Sequence, residues 1–393
     1  MKIKSNLSRL GISTFVTIAG MGLVQADDPT IIELGTLGGF SAIGSGINDY
    51  AEVTGYSWTS EDTQHAFLYD GIMYDLGVLP DGTTSRGTGI NDLGHVTGYA
   101  EVDETYRFIH AFIHDGSTMY DLGTLPNSTG SYAYAINSND QVTGRGTFPH
   151  PTDPFIDLNH AFLYADGSMQ DLGTLGGLDS QGYGINDNGY VVGKSSLPGD
   201  EVIHAFLYDG NSMQDLGTLG GTHSAANDIN ETGQITGLSH ISGDTATHAF
   251  VHDGSNMQDL GTLGGSYSSG LAINDYGQVV GYSQLAGDDP EVAAFLFDGN
   301  SMLNLCTLTK CTEHGWDSLS SASGINEHGD ITGYGYINGV RRAFLIIASD
   351  IEPPATEICD DGIDNDGDGR ADCKDKDCRK DPVCKVNGSG KIK

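Results

Sequence analysis

An 18-residue unit that recurs along the chain constrains the fold more than any other feature of this sequence. Its clearest copy runs from His204 to Gly221 and reads HAFLYDGNSMQDLGTLGG. The three residues that open the unit, His-Ala-Phe or a degenerate form of it, begin at His65, His110, His160, His204, His248, Ala293 and Arg342. Successive Leu-Gly elements lie 42 to 50 residues apart. This period indicates a propeller or another repeat array.

Each unit predicts four short strands. In the fourth copy they cover residues 181–186, 190–194, 205–208 and 213–219, and Asn-Asp-Asn-Gly and Asp-Gly segments between them are typical of hairpin turns. The turns carry a repeated asparagine, predicted to be a turn cap: Asn48, Asn91, Asn137, Asn186, Asn230, Asn274 and Asn326. A glycine follows each asparagine by seven residues, and we assign the repeated glycines to tight turns. No helical period follows residue 27, so the chain is predicted to be all-β.

The two ends of the repeat region complete each other. The segment 31–37 resembles a fourth strand without its first three, and the last unit, ending at residue 347, has three strands and no fourth. A propeller closes its ring by pairing such fragments, although a linear solenoid remains an alternative. We therefore predict a seven-bladed β-propeller of four-stranded blades over residues 27–349, closed by the N-terminal strand.

The strand that opens each unit has apolar residues on both faces, which predicts that both faces are covered, as in radially stacked blades. Catalysis or a metal ring is one interpretation of the repeated histidines. Because five equivalents occupy equivalent strands, we expect instead that each histidine bonds a neighbouring strand or turn and has a structural role.

The first 26 residues have the pattern of a secretion signal: basic Lys2, Lys4 and Arg9, an apolar stretch, and small residues before Asp27. No later apolar run is long enough to span a bilayer. The chain is therefore expected in the periplasm or the medium, as a monomer without membrane insertion.

The charge of the chain excludes one class of partner. The formal net charge is −35, and residues 27–349 hold 41 Asp and Glu against 7 Lys and Arg. Such a surface repels phosphate backbones, so nucleic acid is not expected as a partner. The acidity alone would also serve to keep an extracellular protein soluble.

The connections between second and third strands vary most among the units, and a propeller places them on one rim together with the connections between blades. Loops held by a rigid scaffold often carry function, although a tolerated surface insertion is the simpler interpretation. The longest such loop is 145–159. It and the loop before it supply the residues that a rim-based enzyme would use: Asp103, Glu104, Arg107, His150, Asp153 and Asp157.

Cysteines mark two further features. Cys306 and Cys311 predict a short-loop disulfide near the ring closure. We expect residues 350–358 to be a linker, residues 359–384 to be a calcium-binding motif rich in Asp and Cys, and residues 385–393 to be a disordered end. The predicted calcium ligands are Asp364, Asp366, Asp368, the carbonyl of Arg370, Asp372 and Asp375, at positions 1, 3, 5, 7, 9 and 12 of a twelve-residue loop. Four cysteines are expected to cross-link this motif through disulfides, and the sequence does not determine how they pair: Cys359, Cys373, Cys378 and Cys384.

The His-Ala-Phe, Asp-Leu-Gly-Thr-Leu-Gly-Gly and Gly-Ile-Asn-Asp elements together resemble the bacterial extracellular repeat family named for His-Ala-Phe, over residues 31–347. That resemblance implies export and a propeller-like fold without implying an activity. The tail resembles thrombospondin type-3 calcium repeats and the aspartate-rich, cysteine-stapled metal-binding motif at the ends of bacterial exported proteins.

Three functions are compatible with these features. The first is a secreted binding propeller whose rim engages a surface glycan, a peptide or an envelope protein, with calcium ordering the tail. The second is an extracellular hydrolase or lyase with its site on the same rim. The third is a passive component of the cell surface. No nucleophile, zinc or nucleotide-binding motif is present, so the binding protein is favoured.

Overall fold

The strands of this protein fall into seven antiparallel sets of four. The computed structural model describes residues 30–103, 108–150, 157–287 and 291–348, and within them 28 strands are found. Each set is called a blade here. The all-β propeller predicted from the sequence is confirmed.

The first four blades follow one another along the chain. Blade 1 contains β2 (Gly38–Ile47), β3 (Val53–Thr59), β4 (Gln64–Tyr69) and β5 (Met73–Asp75). Blade 2 contains β6 (Ser85–Ile90), β7 (Val96–Glu101), β8 (Ile109–His114) and β9 (Met119–Asp121). Blade 3 contains β10 (Gly130–Ile136), β11 (Val142–Pro149), β12 (Asp157–Ala165) and β13 (Ser168–Asp171). Blade 4 contains β14 (Ser180–Ile185), β15 (Val191–Ser196), β16 (Ile203–Tyr208) and β17 (Met213–Asp215).

The remaining blades include the one that closes the ring. Blade 5 contains β18 (Gly220–Ile229), β19 (Ile235–Ile241), β20 (Thr247–His252) and β21 (Met257–Asp259). Blade 6 contains β22 (Gly264–Ile273), β23 (Val279–Leu285), β24 (Val292–Phe297) and β25 (Met302–Asn304). Blade 7 contains β26 (Ser318–Ile325), β27 (Ile331–Ile337), β28 (Val340–Ile347) and, from the other end of the chain, β1 (Thr30–Glu33). A helical turn, α1 (Leu305–Leu308), and two 3₁₀ turns, Ser242–Asp244 and Cys311–His314, complete the described elements.

The pairing of β1 with β28 confirms the predicted ring closure. The two strands are antiparallel, with Thr30 opposite Ile347 and Glu33 opposite Phe344. Arg342 strengthens the junction because its Nε lies 2.8 Å from a carboxylate oxygen of Glu33. The N-terminal strand thus covers an edge that would otherwise be open to pairing with another chain.

The core consists of layers between neighbouring blades. The phenylalanine of each repeated unit is fully buried: Phe67, Phe112, Phe162, Phe206, Phe250, Phe295 and Phe344. In the layer between blades 2 and 3, Phe162 of one blade packs in a cluster with Ala111 of the other. Both faces of these strands are therefore covered, as the sequence predicts.

A closed cycle of hydrogen bonds joins all seven blades at one end of the axis. The side-chain amide nitrogen of each repeated asparagine donates to the carbonyl oxygen of the equivalent asparagine in the next blade, over 2.9–3.2 Å. The asparagine oxygen caps its own hairpin, as when Asn137 accepts from the backbone of Asn139 and Gln141. The predicted turn-capping role is confirmed, and a second role in joining blades was not predicted.

The assignment of the repeated glycines to tight turns is only partly right. The glycine seven residues after each asparagine lies inside the second strand. At Gly98, an added Cβ would clash with the carbonyl oxygen of Arg86 and lie 3.0 Å from Phe112 Cε1. Close packing against the inner strand, and not a positive φ, excludes a side chain there. Other glycines, such as Gly210 at φ +90°, do occupy turns.

The structure also adjusts the predicted boundaries. Blade 4 has its strands where the sequence places them, but its fourth strand ends at Asp215 and not at residue 219. In blade 3 the loop predicted over 145–159 is largely strand, since β11 continues to Pro149 and β12 begins at Asp157. The predicted disulfide between Cys306 and Cys311 is present, in the connection between blades 6 and 7.

Candidate functional site

The inner strand of every blade carries a β-bulge that aims one extra side chain at the propeller axis. The pairing register of each inner strand slips by one residue at the bulge. The bulged residues are Ser45, Thr88, Tyr134, Tyr183, Asn227, Leu271 and Ser323. All seven line one axial cavity of about 190 Å³. Since bulges commonly redirect side chains near functional sites, the axis is the first place to look for a ligand.

Asp228 departs from the repeat at the wall of this axial cavity. The equivalent position in the other blades holds only glycine or alanine, for example Gly184 and Ala272. The Asp228 carboxylate accepts hydrogen bonds from the backbone of Ile229 and, in the next blade, of Ile273. The side chain keeps some surface toward the cavity but lies deep in the protein, and this burial raises its pKa to about 7 despite the two bonds.

A group of tyrosine and basic side chains lies between neighbouring blades, beside the axial cavity. It is called the tyrosine–basic belt here and consists of Tyr56, Arg86, Tyr99, Tyr132, Tyr134, Arg145, Tyr183, Lys194, Tyr334 and Arg341. Five members directly follow the close-packed glycine of a second strand: Tyr56, Tyr99, Arg145, Lys194 and Tyr334. Two more, Arg86 and Tyr132, lie on an inner strand opposite such a residue. Tyr134 and Tyr183 belong both to the belt and to the cavity wall.

Contacts between rings and cations connect the belt across blades. The Arg86 guanidinium lies 4.6 Å from the ring centroid of Tyr56 in blade 1, and its Nη1 donates to the Tyr99 hydroxyl over 3.3 Å. Tyr99 in turn packs edge-on against Tyr132 of blade 3 at 5.0 Å between centroids. Rings and guanidinium planes in this arrangement attract one another through cation–π contacts.

The same pattern continues into blade 4. The Tyr134 and Tyr183 rings are 5.4 Å apart, and the Lys194 ammonium lies 5.7 Å from the Tyr183 centroid. Burial raises the pKa of Tyr183 to about 12, so its hydroxyl keeps its proton at neutral pH. Burial lowers the pKa of Lys194, an effect that the nearby charge of Asp179 opposes.

Arg145 is a half-buried cation of the belt. Its guanidinium lies 4.5 Å from the Tyr132 centroid, and its Nη1 donates to the Asn159 side-chain oxygen over 3.2 Å. Its Nε is buried and has no hydrogen-bond partner, the single such side-chain atom found in the part of the chain that the structure describes. A buried donor of this kind costs about 1–3 kcal/mol unless an acceptor reaches it.

The opposite end of the axis is acidic. The residue after the repeated asparagine is acidic in six blades, and these residues form an acidic ring of Asp49, Asp92, Asp187, Glu231, Asp275 and Glu327. Each carboxylate accepts a backbone N–H from a neighbouring blade, as Asp187 does from Ser138. Burial raises the pKa of Glu327 to about 7. The axis therefore has a basic, aromatic end and an acidic end.

The repeated histidines lie on the rim, away from the axis. In five blades the histidine Nδ1 lies 2.8–2.9 Å from the aspartate of the Asp-Leu-Gly element in the neighbouring strand, as for His204 and Asp215. This contact confirms the predicted structural bonding to an adjacent strand. Among the described residues no group of His, Cys, Asp and Glu side chains is arranged to hold a metal ion.

The residues proposed for a rim-based enzyme are not assembled into a site that the structure describes. Asp157 opens β12 opposite Pro149, and its charge acts on Tyr132 of the belt. Asp103 follows β7, and His150 follows β11. Glu104, Arg107 and Asp153 lie outside the described residues.

The predicted calcium loop, from Asp364 to Asp375, and the four tail cysteines also lie outside the described residues, as do the predicted signal segment 1–26, the linker 350–358 and the end 385–393. These features stay predictions from sequence.

Sequence reasoning missed both the bulge residues and the belt. One signal was available: the position three residues before each repeated asparagine changes from serine to tyrosine to leucine within an otherwise uniform segment. A position that varies inside a fixed repeat is free of the packing that fixes its neighbours. What the sequence does not show is that all seven of these positions converge on one cavity.

Residues 220–362 match the family model described as "Protein of unknown function (DUF3466)". No curated protein matches the chain.

Among solved structures, the chain is similar to the β-propeller domain of the Trilobed protease from Pyrococcus furiosus, with a TM-score of 0.47 and 11% identity over 66% of this chain and 79% of that one. It is also similar to YCF48 bound to D1 peptide, with a TM-score of 0.47 and 8% identity over 84% of this chain and 99% of that one. For TolB from Acinetobacter baumannii the values are 0.40 and 12%, over 78% and 63%. The fold assignment rests on the strand pairing described above.

Among the described ranges, from Thr30 to Ala348 with their gaps, no helix is both long and apolar enough to cross a bilayer.

Proposed function

We propose that this protein is an extracellular or periplasmic binding protein whose ligand docks at the tyrosine–basic belt and reaches into the axial cavity. The observation that carries the proposal is the departure of the belt from the repeat. The residues that pack between these blades recur in every unit, as the buried phenylalanine does, yet the belt positions hold Tyr56 in blade 1, Arg145 in blade 3 and Lys194 in blade 4. Diversity at one end of a uniform scaffold is typical of a recognition surface.

The composition of the belt supports binding. Tyrosine and arginine dominate binding hot spots, because they offer large contact areas together with hydrogen-bonding groups. The rim beyond the belt adds the exposed Phe40, which stacks on the half-buried Trp58 with ring centroids 4.9 Å apart. A surface glycan, a peptide or an envelope protein would meet these groups first.

A panel of small ligands tests the proposal by thermal shift, because a ligand that binds the folded state raises its melting temperature. We expect a ligand whose shift is lost in Tyr134→Ala and Tyr183→Ala but kept in Tyr276→Ala. Tyr276 is an exposed tyrosine in the hairpin between β22 and β23 of blade 6, is not part of the belt, and serves as the matched control. Ligands whose shifts survive both belt substitutions would place the site elsewhere and contradict the proposal.

We also propose that the tail binds calcium through the aspartates predicted from sequence. The support is their spacing, which supplies hard oxygen ligands at alternating positions of a twelve-residue loop. The double substitution Asp366→Ala with Asp368→Ala should abolish calcium uptake measured by calorimetry and leave the main thermal transition unchanged. Equal calcium binding by wild type and variant would contradict this assignment.

A further inference from the structure

The charge of the belt is unusual for this protein. Residues 27–349 contain seven Lys and Arg against 41 Asp and Glu, yet four of the seven gather in the belt: Arg86, Arg145, Lys194 and Arg341. Among the described residues, Arg342 forms an ion pair with Glu33. None of the four belt cations has a carboxylate at ion-pair distance there, although the charge of Asp179 acts on Lys194. Carboxylates are abundant everywhere else on this chain. The belt therefore keeps a net positive charge that favours an external anion.

Arg145 is the group most suited to hold that anion. Its Nε is buried without an acceptor, while its ring contact with Tyr132 and its bond to Asn159 fix the guanidinium plane. Arginine binds carboxylates through two parallel N–H donors, and such charge-assisted bonds are stronger than neutral ones. Nε itself is closed to solvent, so an incoming carboxylate reaches it only after the side chain shifts, and it then supplies the missing acceptor. Arg145 does not line the axial cavity, but its charge acts on Tyr134 and Tyr183, which do.

The size and lining of the axial cavity limit the rest of the ligand. At about 190 Å³ the cavity is smaller than sites for drug-sized molecules, which span about 300–1,000 Å³. Seven of its eighteen lining residues have hydrogen-bonding side chains and the other eleven are Gly, Ala, Ile or Leu; the seven are Ser45, Thr88, Tyr134, Tyr183, Asn227, Asp228 and Ser323. Thr88, Asn227 and Asp228 already form hydrogen bonds within the protein. A small ligand with several hydroxyl groups would add bonds to this lining that an alkyl chain cannot make.

The acidic remainder of the protein excludes a polyanion. The net charge of −35 and the acidic ring at the far end of the axis repel a ligand with many negative charges. They favour a single charge held at the basic end, with the uncharged part pointing along the axis. The charge distribution along the axis thus selects the orientation of the ligand as well as its charge.

We infer that the belt and axial cavity bind the carboxylate of a sugar acid, with the charge against Arg145 and the hydroxyl groups toward the bulge residues. This inference rests on the proposed binding function and names its ligand class. The carboxylate could belong to a free sugar acid or to the acidic residue that ends a glycan, and both present the same chemistry.

Calorimetric titration of the full chain with three probes tests the inference. Glucuronate carries both the charge and the hydroxyls, glucose carries only the hydroxyls, and hexanoate carries only the charge. We expect glucuronate to bind with a Kd of about 1 mM or tighter and the other two to bind at least about tenfold more weakly. Methyl glucuronide separates the sources: binding equal to that of glucuronate assigns a glycan end, and lost binding assigns the free acid.

Substitutions locate the charge. Arg145→Gln should weaken glucuronate about tenfold or more, and Lys194→Gln provides a second belt variant if the first does not fold, as judged by its thermal melt. Lys310→Gln removes the same charge from an exposed site outside the belt and should leave the affinity unchanged.

Two results would overturn the inference. The first is the absence of glucuronate binding, or binding that both belt substitutions leave intact. The second is glucose binding as tightly as glucuronate. In that second case, loss of glucose binding in Tyr183→Ala would still support the proposed function, so the two failures are distinguishable.

Discussion

The side-chain amide of Asn326 donates to the carbonyl oxygen of Asn48 over 3.0 Å, across 278 residues of sequence. This bond is the seventh of a cycle and returns it to its start in blade 1. The pairing of β1 with β28 closes the same junction at the outer edge of blade 7. The ring is therefore closed twice, near the axis by asparagine side chains and at the periphery by a strand.

Loss of one asparagine from the cycle should destabilise the whole propeller. Asn137→Ala removes a buried amide that donates to Asn186 and accepts from its own hairpin. We expect the free energy of unfolding to fall by about 1–3 kcal/mol, because the bonded groups stay buried without partners. Denaturant unfolding measures the change. The matched control is Asn211→Ala, the same substitution in an exposed hairpin of blade 4, which should change stability by about 0.5 kcal/mol or less. Equal losses in the two variants would contradict a special role for the cycle.

Removal of the closing strand should open the ring at its periphery. A chain that begins after Glu33 lacks β1 and leaves the backbone of β28 unpaired at the sheet edge. We expect a lower melting temperature and higher-order species by size-exclusion chromatography, because an uncovered edge pairs with other chains. The control is a chain that begins at residue 27 and keeps β1. An unchanged melting temperature for the shorter chain would show that β1 contributes little to closure.

A methyl group on the close-packed glycine of a second strand should disrupt the contact between strands. Gly98→Ala places a Cβ against the Arg86 carbonyl and close to Phe112. Overpacking of this kind costs about 1–3 kcal/mol in unfolding free energy. Gly210→Ala serves as the comparison, since its turn has open space around the added atom and only its positive φ is unfavourable, at about 1–2 kcal/mol. Gly98→Ala should also shift the mutual packing of Tyr99 and Arg86, visible as changed tyrosine signals by NMR, which Gly210→Ala should not do.

Asp228 should make stability depend on pH. Burial raises its pKa to about 7, so the folded state holds the proton more tightly than an unfolded carboxyl with a pKa of about 3.9. The stability that this proton contributes is complete below about pH 4 and is lost as the pH rises toward 7. Relative to wild type, Asp228→Asn should therefore become progressively more stable between pH 4 and 7 and level off above it. Urea unfolding at several pH values measures the difference, and a difference that does not vary with pH would contradict the assignment.

The sequence predicts the scaffold well because the scaffold repeats. Turn residues such as Asn186, the buried Phe206 and the alternating strand pattern recur with a fixed period, and each recurrence strengthens the same inference. The closing strand is predictable for the same reason, because the N-terminal segment is a fourth strand alone and the last unit lacks its fourth strand.

The site was not predictable to the same degree. Arg86, Arg145 and Tyr183 lie in separate repeats, and their contacts depend on how tightly seven blades pack around one axis. The variable loop of blade 3 indicated a different place for the site, and a large part of that predicted loop is strand. A repeat pattern specifies which residues are equivalent, but not which equivalent positions face one another across the axis.

Hydrogen–deuterium exchange with and without bound ligand tests the central claim most directly. With the best ligand of the thermal-shift panel at saturation, we expect slower exchange in β10, β11, β14 and β15, whose residues form the belt and the wall of the axial cavity in blades 3 and 4. The hairpins that carry the acidic ring should exchange as before. Protection confined to those hairpins, or to the outer strands of the blades, would contradict a binding site at the tyrosine–basic belt.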